Sequence, residues 1–386
     1  MNTGQAIHSA ADLQASLVPA SQRLISLDVF RGMTIAAMIL VNNPGSWTAR
    51  YSPLRHAAWH GWTFADLVFP FFLYIVGASL VLSQSRRVMR GASHKGLLWH
   101  ALWRSVVLIA IGLVLNGIFF SQFQQLRFSG ILQRIGVVYF LAAVLVLSTS
   151  RRTWAIISAA TLLGYWAMMS LIPVPGYGRG NLEPIGNLAS YIDRLLMSGH
   201  MWQPTWDPEG LLSTIPAVAT VLFGAIAAAW LRDIHGSRMG AADRKETKLS
   251  PFGGFVIAGF AAVAVGELWG QVFPLNKNIW TSSFALFTAG LATLVMAACY
   301  WAIEVKNWRR LSRFFVPLGM NPLAIYVASE MVGGGPLSWA QDRLFDDWFA
   351  PLGSAAMGSL IWAVLYLCLW AAVAQFMYRR AVFIRL

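Results

Sequence analysis

Apolar residues in this chain come in long unbroken runs rather than in the 3.6-residue period of a surface helix. Ten such runs lie near residues 27–44, 61–83, 98–120, 130–149, 153–172, 211–231, 252–270, 279–303, 315–333 and 355–378. A helix needs about 17–25 mostly apolar residues to cross the hydrocarbon layer of a bilayer, and every run meets that length. The pattern therefore predicts an all-α polytopic membrane protein of about ten transmembrane helices. Residues 23–386 read as a single transmembrane domain. Residues 1–22 are polar and mixed, lack the charged-then-apolar order of a cleaved signal, and are expected to form a disordered cytoplasmic tail. Three stretches punctuate helix ends. Thr63-x-x-Asp66 has the spacing of a capping box. Asp207-Pro208-Glu209 has the cap, first-turn proline and acid of a helix start. Asn321-Pro322 either starts a helix or breaks the ninth run.

Composition agrees. The chain is 57% hydrophobic and 12% charged, whereas a soluble domain carries about 25% charged residues. The net charge of +13 raises the question of nucleic acid, but the basic residues sit in short clusters between apolar runs, and no nucleic-acid-binding module is present. Their distribution reports topology instead. One alternate set of segments holds 19 Lys and Arg, and the opposite set holds seven: Arg50, Arg55, Arg127, Arg179, Arg194, Lys277 and Arg343. The positive-inside rule puts the richer set, and with it both termini, in the cytoplasm. The loops around His56, 173–210 and 334–354 then lie on the far side and carry polar and aromatic residues able to line a site. Cys299 and Cys368 fall inside apolar runs, so no disulfide framework is implied, and no His/Cys cluster has metal-ligand spacing. Phosphate-loop and nucleophile-elbow motifs are absent, and "GYGRG" (176–180) lacks the strand–helix context of a phosphate loop.

Ionisable residues at membrane depth are costly, at least about 2.5–3.5 kcal/mol each, and so are functional candidates. Here they are Asp28, Arg31, Asp66, Arg104, Arg134, Glu267 and Glu330, with Asn42, Asn116, Gln133 and Asn321 adding uncharged polarity. Each also has a plain structural reading. Asp28 and Arg31, spaced i, i+3, suit a local ion pair, and Asp66 suits a helix cap. Arg104 and Arg134 are placed to snorkel toward the interface. Glu267 and Glu330 suit interfacial positions, and Gln133 and Asn116 suit interhelical hydrogen bonds. The sharper reading of Arg31 and Arg104 is that two guanidinium groups at the Lys/Arg-rich ends of separate helices hold the phosphates of a ligand.

His56 is the strongest chemical candidate. It precedes the second run in "RHAAWHGW", among Arg55, Trp59 and His60. An imidazole near its ordinary pKa of about 6.5 serves as acid, base or nucleophile at neutral pH. Asn42 closes the first run on the same side, placed to orient His56 or to donate to an oxyanion. His60 competes for the same role, and spacing does not choose between them.

These residues belong to longer stretches that resemble a known family. "RLISLDVFRGMTIAAMILVNNPG" and "RHAAWHGWTFADLVFPFFLYIVGASL", then "LWRSVVLIAIGLVLNG", "GILQRIGVVYFLAAVL", "YIDRLL", "DPEGLLSTIPAV", "PLNKNIW" and "PLGMNPLAIYV", follow in order from about residue 23 to the C-terminus. Together they resemble the heparan-alpha-glucosaminide N-acetyltransferase family and its bacterial relatives. The resemblance implies a transmembrane acyltransferase of a bacterial inner membrane. It would take acetyl from cytosolic acetyl-CoA and pass it to an amino sugar or related glycan on the periplasmic side. The family's catalytic histidine falls on His56 and its asparagine at the end of the first shared helix on Asn42. The asparagine of the family's motif is His60 here. The large lumenal domain of the lysosomal member has no counterpart, so heparan sulfate is not the expected acceptor. A homodimer is also implied.

Resemblance and residue chemistry give one working scheme. Asp66 orients the His56 imidazole. The donor is held by Arg31 and Arg104, with Arg134, Gln133 and Asn116 as further contacts. Trp59, His60, Asp207, Glu209 and Asn278 are the candidates for the acceptor. No metal is expected. The acetyl group goes to the acceptor directly or by way of an acetyl-histidine. The rival expectation is an amino-sugar transporter of the inner membrane, which would share the helices, the aromatic residues and the intramembrane charges.

Overall fold

The computed structural model describes residues 24–120, 126–240, 251–333, 339, 343–351 and 353–384; the expected tail, 1–22, lies outside them. Each predicted apolar run is helical. The helices are α1 (Ile25–Asn42), α2 (Phe64–Met89), α3 (His94–Phe120), α4 (Ile131–Ser148), α5 (Arg151–Leu171), α6 (Leu188–Met197), α7 (Thr214–Gly240), α8 (Pro251–Gly270), α9 (Ser282–Tyr300), α10 (Arg309–Met320), α11 (Pro322–Gly333) and α12 (Ala355–Arg379). Among the described residues nine helices are long and apolar enough to cross a membrane, or ten when α10 and α11, bent by 81° at Asn321, count as one span. The protein is a multi-pass, all-helical membrane protein.

Burial sorts the helices into two layers. In α2 and α7, 72% of the membrane-length window is buried in protein, against 17% in α8 and 28% in α3, α5 and α12. The inner helices meet through glycine, because an apolar solvent gives helices little reason to associate beyond close packing. Gly77 of α2 lies against the Val221 carbonyl of α7, and Gly224 of α7 against the Tyr74 carbonyl of α2, so a Cβ at either would overlap backbone. Gly32 and Gly319 bring α1 and α10 together in the same manner. Around these contacts Leu73, Tyr74, Ile35, Ile39 and Phe284 are fully enclosed.

Asn321-Pro322 acts as a break. Proline removes the N–H that would continue the helix. Asn321, wholly buried, donates from its amide to the Val382 carbonyl (2.9 Å) and accepts the Ile384 N–H (2.8 Å). The Thr63–Asp66 capping box also forms, with the Thr63 N–H on Asp66 Oδ2 at 3.0 Å. Asp207-Pro208-Glu209 does not start a helix: α7 begins at Thr214, and the two acids turn instead toward an arginine 80 or so residues away. The segment 173–210, read as a loop, contains α6. Asn187 caps it by accepting the Ser190 N–H at 2.8 Å, and Leu188, Ala189 and Met197 are buried.

Alternate loops gather at opposite ends of the bundle, as alternating runs require. At one end the segments after α1, α3, α5 and α8 are joined: Gly61 N–H to the Leu275 carbonyl (2.8 Å), Trp59 Nε1 to the Leu182 carbonyl (2.9 Å), and Phe128 N–H to the His200 carbonyl (3.1 Å). At the other end Arg151 pairs with Asp233, and Ser26 N–H reaches Glu304 Oε1 (3.2 Å).

Candidate active site

The site is built on the first turn of α2. Asp66, third in the helix, is 1% exposed. Its Oδ2 accepts from the Thr63 N–H (3.0 Å) and the Ala57 N–H (3.0 Å), with the Thr63 hydroxyl oxygen 3.1 Å away. Two backbone donors saturate that oxygen and leave Oδ1 facing His56, whose Nδ1 lies 2.7 Å away. An ionised carboxylate only accepts, so Nδ1 carries the hydrogen and Nε2 the lone pair. The Thr63 hydroxyl donates to the Arg55 carbonyl at 2.6 Å, which closes the turn that presents His56. The imidazole still has 40% of its side-chain surface open, so Nε2 is approachable.

A second loop crosses the first. Lys277, between α8 and α9, places Nζ 3.2 Å from His56 Nδ1, 3.4 Å from Nε2 and 3.8 Å from Asp66 Oδ1. The adjoining Asn276 places Nδ2 3.3 Å from His60 Nδ1, and His60 Nε2 lies 3.7 Å from Glu183. Two titration shifts follow. The surrounding protein strips water from His56 and pulls its pKa below that of a free imidazole; the Asp66 hydrogen bond opposes this and the Lys277 charge adds to it. Burial likewise pulls Lys277 below the ordinary lysine value, with Asp66 opposing. The imidazole is therefore neutral at pH 7, the state a general base or nucleophile needs, with Lys277 Nζ as the neighbour of its Nε2 lone pair.

Beside it lies a second charged group. Arg127 donates from Nε to Asp207 Oδ2 (2.9 Å), and from Nη2 to Asp207 Oδ1 (2.7 Å) and Glu209 Oε2 (2.5 Å). The Trp202 ring covers its guanidinium at 5.1 Å. Burial pushes the Asp207 pKa up, but the hydrogen bonds and charge of Arg127 outweigh it and hold the carboxyl below its ordinary value. Asn116 donates to the Arg127 and Ser129 carbonyls (2.7 and 2.9 Å), tying α3 to this group. Arg134, at the start of α4, does not snorkel: it is 2% exposed. It reaches the Gly210 carbonyl (3.1 Å) and the Ser213 hydroxyl (2.5 Å), while Nε, Nη1 and the Nε2 of neighbouring Gln133 have no protein partner. Its guanidinium lies 5.2 Å from the Trp280 ring centroid. Arg134 and Glu209 are within electrostatic reach of Lys277, so the two groups share one field.

The structure thus brings Asp66 to His56 and places His60, Trp59 and Asn278 on the same rim. Trp59 packs edge-on to Trp206 at 5.1 Å, and Asn278, half-buried, adjoins Lys277. Asn42 is elsewhere engaged: its amide donates to Glu330 Oε1 of α11 at 2.9 Å, so Glu330 is an interior partner rather than an interfacial one. At the opposite end Arg31 donates to Asp28 Oδ1 (3.2 Å), Ser79 Oγ (2.6 Å) and the Gly319 carbonyl (3.1 Å). Arg104 stacks over Tyr139 at 4.9 Å, with Nε unpartnered. A cavity of about 540 Å³ opens there between α1, α10 and α12, bordered by Asp28, Arg313, Gln375 and Arg379. The sequence reading did not single out Lys277, Asn276 or Arg127. One signal was available for Lys277, which is the sole lysine among the seven cations of the Lys/Arg-poor loops.

A model of the heparan-alpha-glucosaminide N-acetyltransferase catalytic family matches residues 23–259. The chain belongs to this family. The matched segment contains His56, Asp66, Arg127, Arg134, Asp207 and Glu209. The chain is 30% identical to human heparan-alpha-glucosaminide N-acetyltransferase over 416 residues, which covers 94% of this chain and 59% of that protein. Against the mouse protein of the same name the identity is 29% over 418 residues, covering 94% and 60%. The chain therefore spans about three-fifths of the length of the curated relatives it matches. Lys277 lies beyond the family-model match but inside the part of the chain that is similar to the two relatives.

Proposed function

We propose that this protein is an acetyl-CoA-dependent N-acetyltransferase whose acceptor is an amino sugar or related glycan. The observation that carries the reading is the Asp66–His56 hydrogen bond, inside the segment that matches the family's catalytic region. In this scheme His56 Nε2 takes the proton of the acceptor amine as it attacks the acetyl carbonyl, while Asp66 holds the ring in the reactive tautomer. Trp59, His60 and Asn278 form the rim that receives the sugar. Asp207 and Glu209 shape it from below through Arg127.

The donor enters from the Lys/Arg-rich end, which the positive-inside rule places in the cytoplasm with both termini. Arg31 and Arg104 take its phosphates, and the open cavity bordered by Arg313 and Arg379 gives a bulky polar head room there. The buried, unpaired donors of Arg134 and Gln133 lie toward the other end of that path, where the acyl arm arrives. The setting is a bacterial inner membrane, with a homodimer as the assembly.

Purified protein in proteoliposomes supplies the test. Acetyl-CoA with glucosamine should yield free CoA thiol and N-acetylated sugar, and His56→Ala should lower the rate about 10²–10⁴-fold. Parallel initial-rate lines mark an acetyl-histidine intermediate; intersecting lines mark direct transfer. Sugar uptake without thiol release would overturn the enzyme in favour of a transporter.

A further inference from the structure

Lys277 brings a cation to the nitrogen that does the chemistry, and its loop is built to keep it there. Asn276 accepts the Ile279 N–H (3.1 Å) and donates its own N–H to Thr281 Oγ1 (3.0 Å). Trp280, 1% exposed, turns through a left-handed φ of 47° and donates its indole N–H to Thr220 (3.2 Å). A non-glycine residue held in that conformation needs its surroundings to enforce it, and the buried indole does so. An ion pair alone does not explain the placement of the ammonium. The near oxygen of Asp66 is committed to His56 at 2.7 Å, and Nζ is left at 3.8 Å from it, closer to both ring nitrogens than to the carboxylate.

We propose that Lys277 is a catalytic residue whose ammonium stabilises the oxyanion formed on the acetyl carbonyl beside His56 Nε2. The inference rests on the acetyl-transfer reading above. The acceptor nitrogen bonds to the carbonyl carbon, and the π pair moves onto oxygen. Nε2 takes the proton released from nitrogen. The oxyanion then collapses, the C–S bond breaks with its electron pair on sulfur, and the thiolate takes the proton from Nε2. Amine and thioester become amide and thiol. A carbonyl approached from Nε2 develops its negative charge within reach of a cation 3.4 Å from that nitrogen. Asn42, which the sequence suggested for this task, is held by Glu330 at 2.9 Å.

The charged groups facing His56 are Asp66 from α2, Lys277 from the crossing loop and Arg50 from its own loop. Asp66, Glu209 and Arg134 act on Lys277. Removing the ammonium therefore changes the field on the imidazole as well as on the oxyanion. Lys277→Gln should lower kcat about 10²–10³-fold, the range for loss of one oxyanion-hole donor, with little change in the KM for acetyl-CoA. It should also move the acid limb of the kcat/KM profile to higher pH, because a cation that depresses His56 is gone. The limb reports the ammonium's charge beside the imidazole, and the fall in kcat at pH values above the limb, where His56 is already neutral, reports the oxyanion. If the glutamine variant does not fold, Lys277→Cys carries the test: alkylation with 2-bromoethylamine restores an ammonium at that position and should recover at least about tenfold in rate. Glutamine or unalkylated cysteine variants that keep the wild-type rate and limb overturn the inference while His56 dependence, and so the function, stands. Wild-type protein that releases no CoA thiol with glucosamine overturns both.

Discussion

Two charged groups sit side by side at the loop end, and they are built to opposite specifications. Around Arg127 charge is met by opposite charge: three hydrogen bonds tie it to Asp207 and Glu209, the Asp207 carboxylate is wholly buried, and Trp202 covers the guanidinium. Around His56 the support is as dense, but it stops one atom short. Asp66 is saturated on one oxygen and committed on the other, whereas Nε2 of the ring it orients stays accessible. A saturated group fixes a shape. A supported group with one open, basic atom is equipped to react.

This contrast can be broken at either side. The largest effect is expected at the open group, where His56→Ala should cost about 10²–10⁴-fold in kcat/KM and leave the thermal midpoint near wild type. Arg127→Met should do the reverse. Leaving two buried carboxylates without their cation costs about 3–5 kcal/mol, to be seen as a lower melting point and poorer yield in detergent, while the rate per folded molecule falls far less than in His56→Ala. Asp66→Asn lies between, with about a 10–100-fold loss of kcat, the scale for outer carboxylates that orient metal-bound histidines. The pH profile sharpens the picture further. Because burial and Lys277 hold His56 below the usual imidazole value of about 6.5, the neutral base persists to lower pH. The rate should be flat through neutrality and fall only as pH drops through that depressed value. The smallest effect belongs to Asp193, 2% exposed and pushed up to about 7 by burial. A carboxyl whose folded pKa lies above its unfolded one favours the folded state at low pH and loses that contribution as pH rises through 7. Asp193→Asn keeps the acceptor for the Leu211 N–H (2.9 Å) and should raise the melting point by a few degrees at pH 8, by less at pH 5, and not at all below the unfolded carboxyl value of about 3.9.

Much of this architecture is legible in the chain itself. Each apolar run falls on an observed helix, with ends that differ by up to nine residues where polar turns extend the helix beyond the run, because in lipid a backbone can satisfy its own hydrogen bonds only by coiling. Thr63 and Asp66 announce a cap by spacing alone, and that cap is also what holds the imidazole. The failures share a cause. Asp207 and Glu209 look like a local helix start because their partner Arg127, some 80 residues earlier, leaves no periodic trace. Lys277 was counted as a topological charge for the same reason, since 221 residues separate it from His56. Asn42, placed beside His56 by its end of the bundle and by the family resemblance, donates to Glu330. Height along a helix is readable from sequence; azimuth is not, and Asn42 faces α11.

The break at Asn321 has a consequence for anyone shortening this chain. Its side chain imitates a strip of backbone, giving and taking one hydrogen bond each with residues 382 and 384. Residues 382–384 thus work as a splint across an interrupted span. Trimming them would strip a buried amide of both partners at a junction where the proline keeps the helix from mending itself.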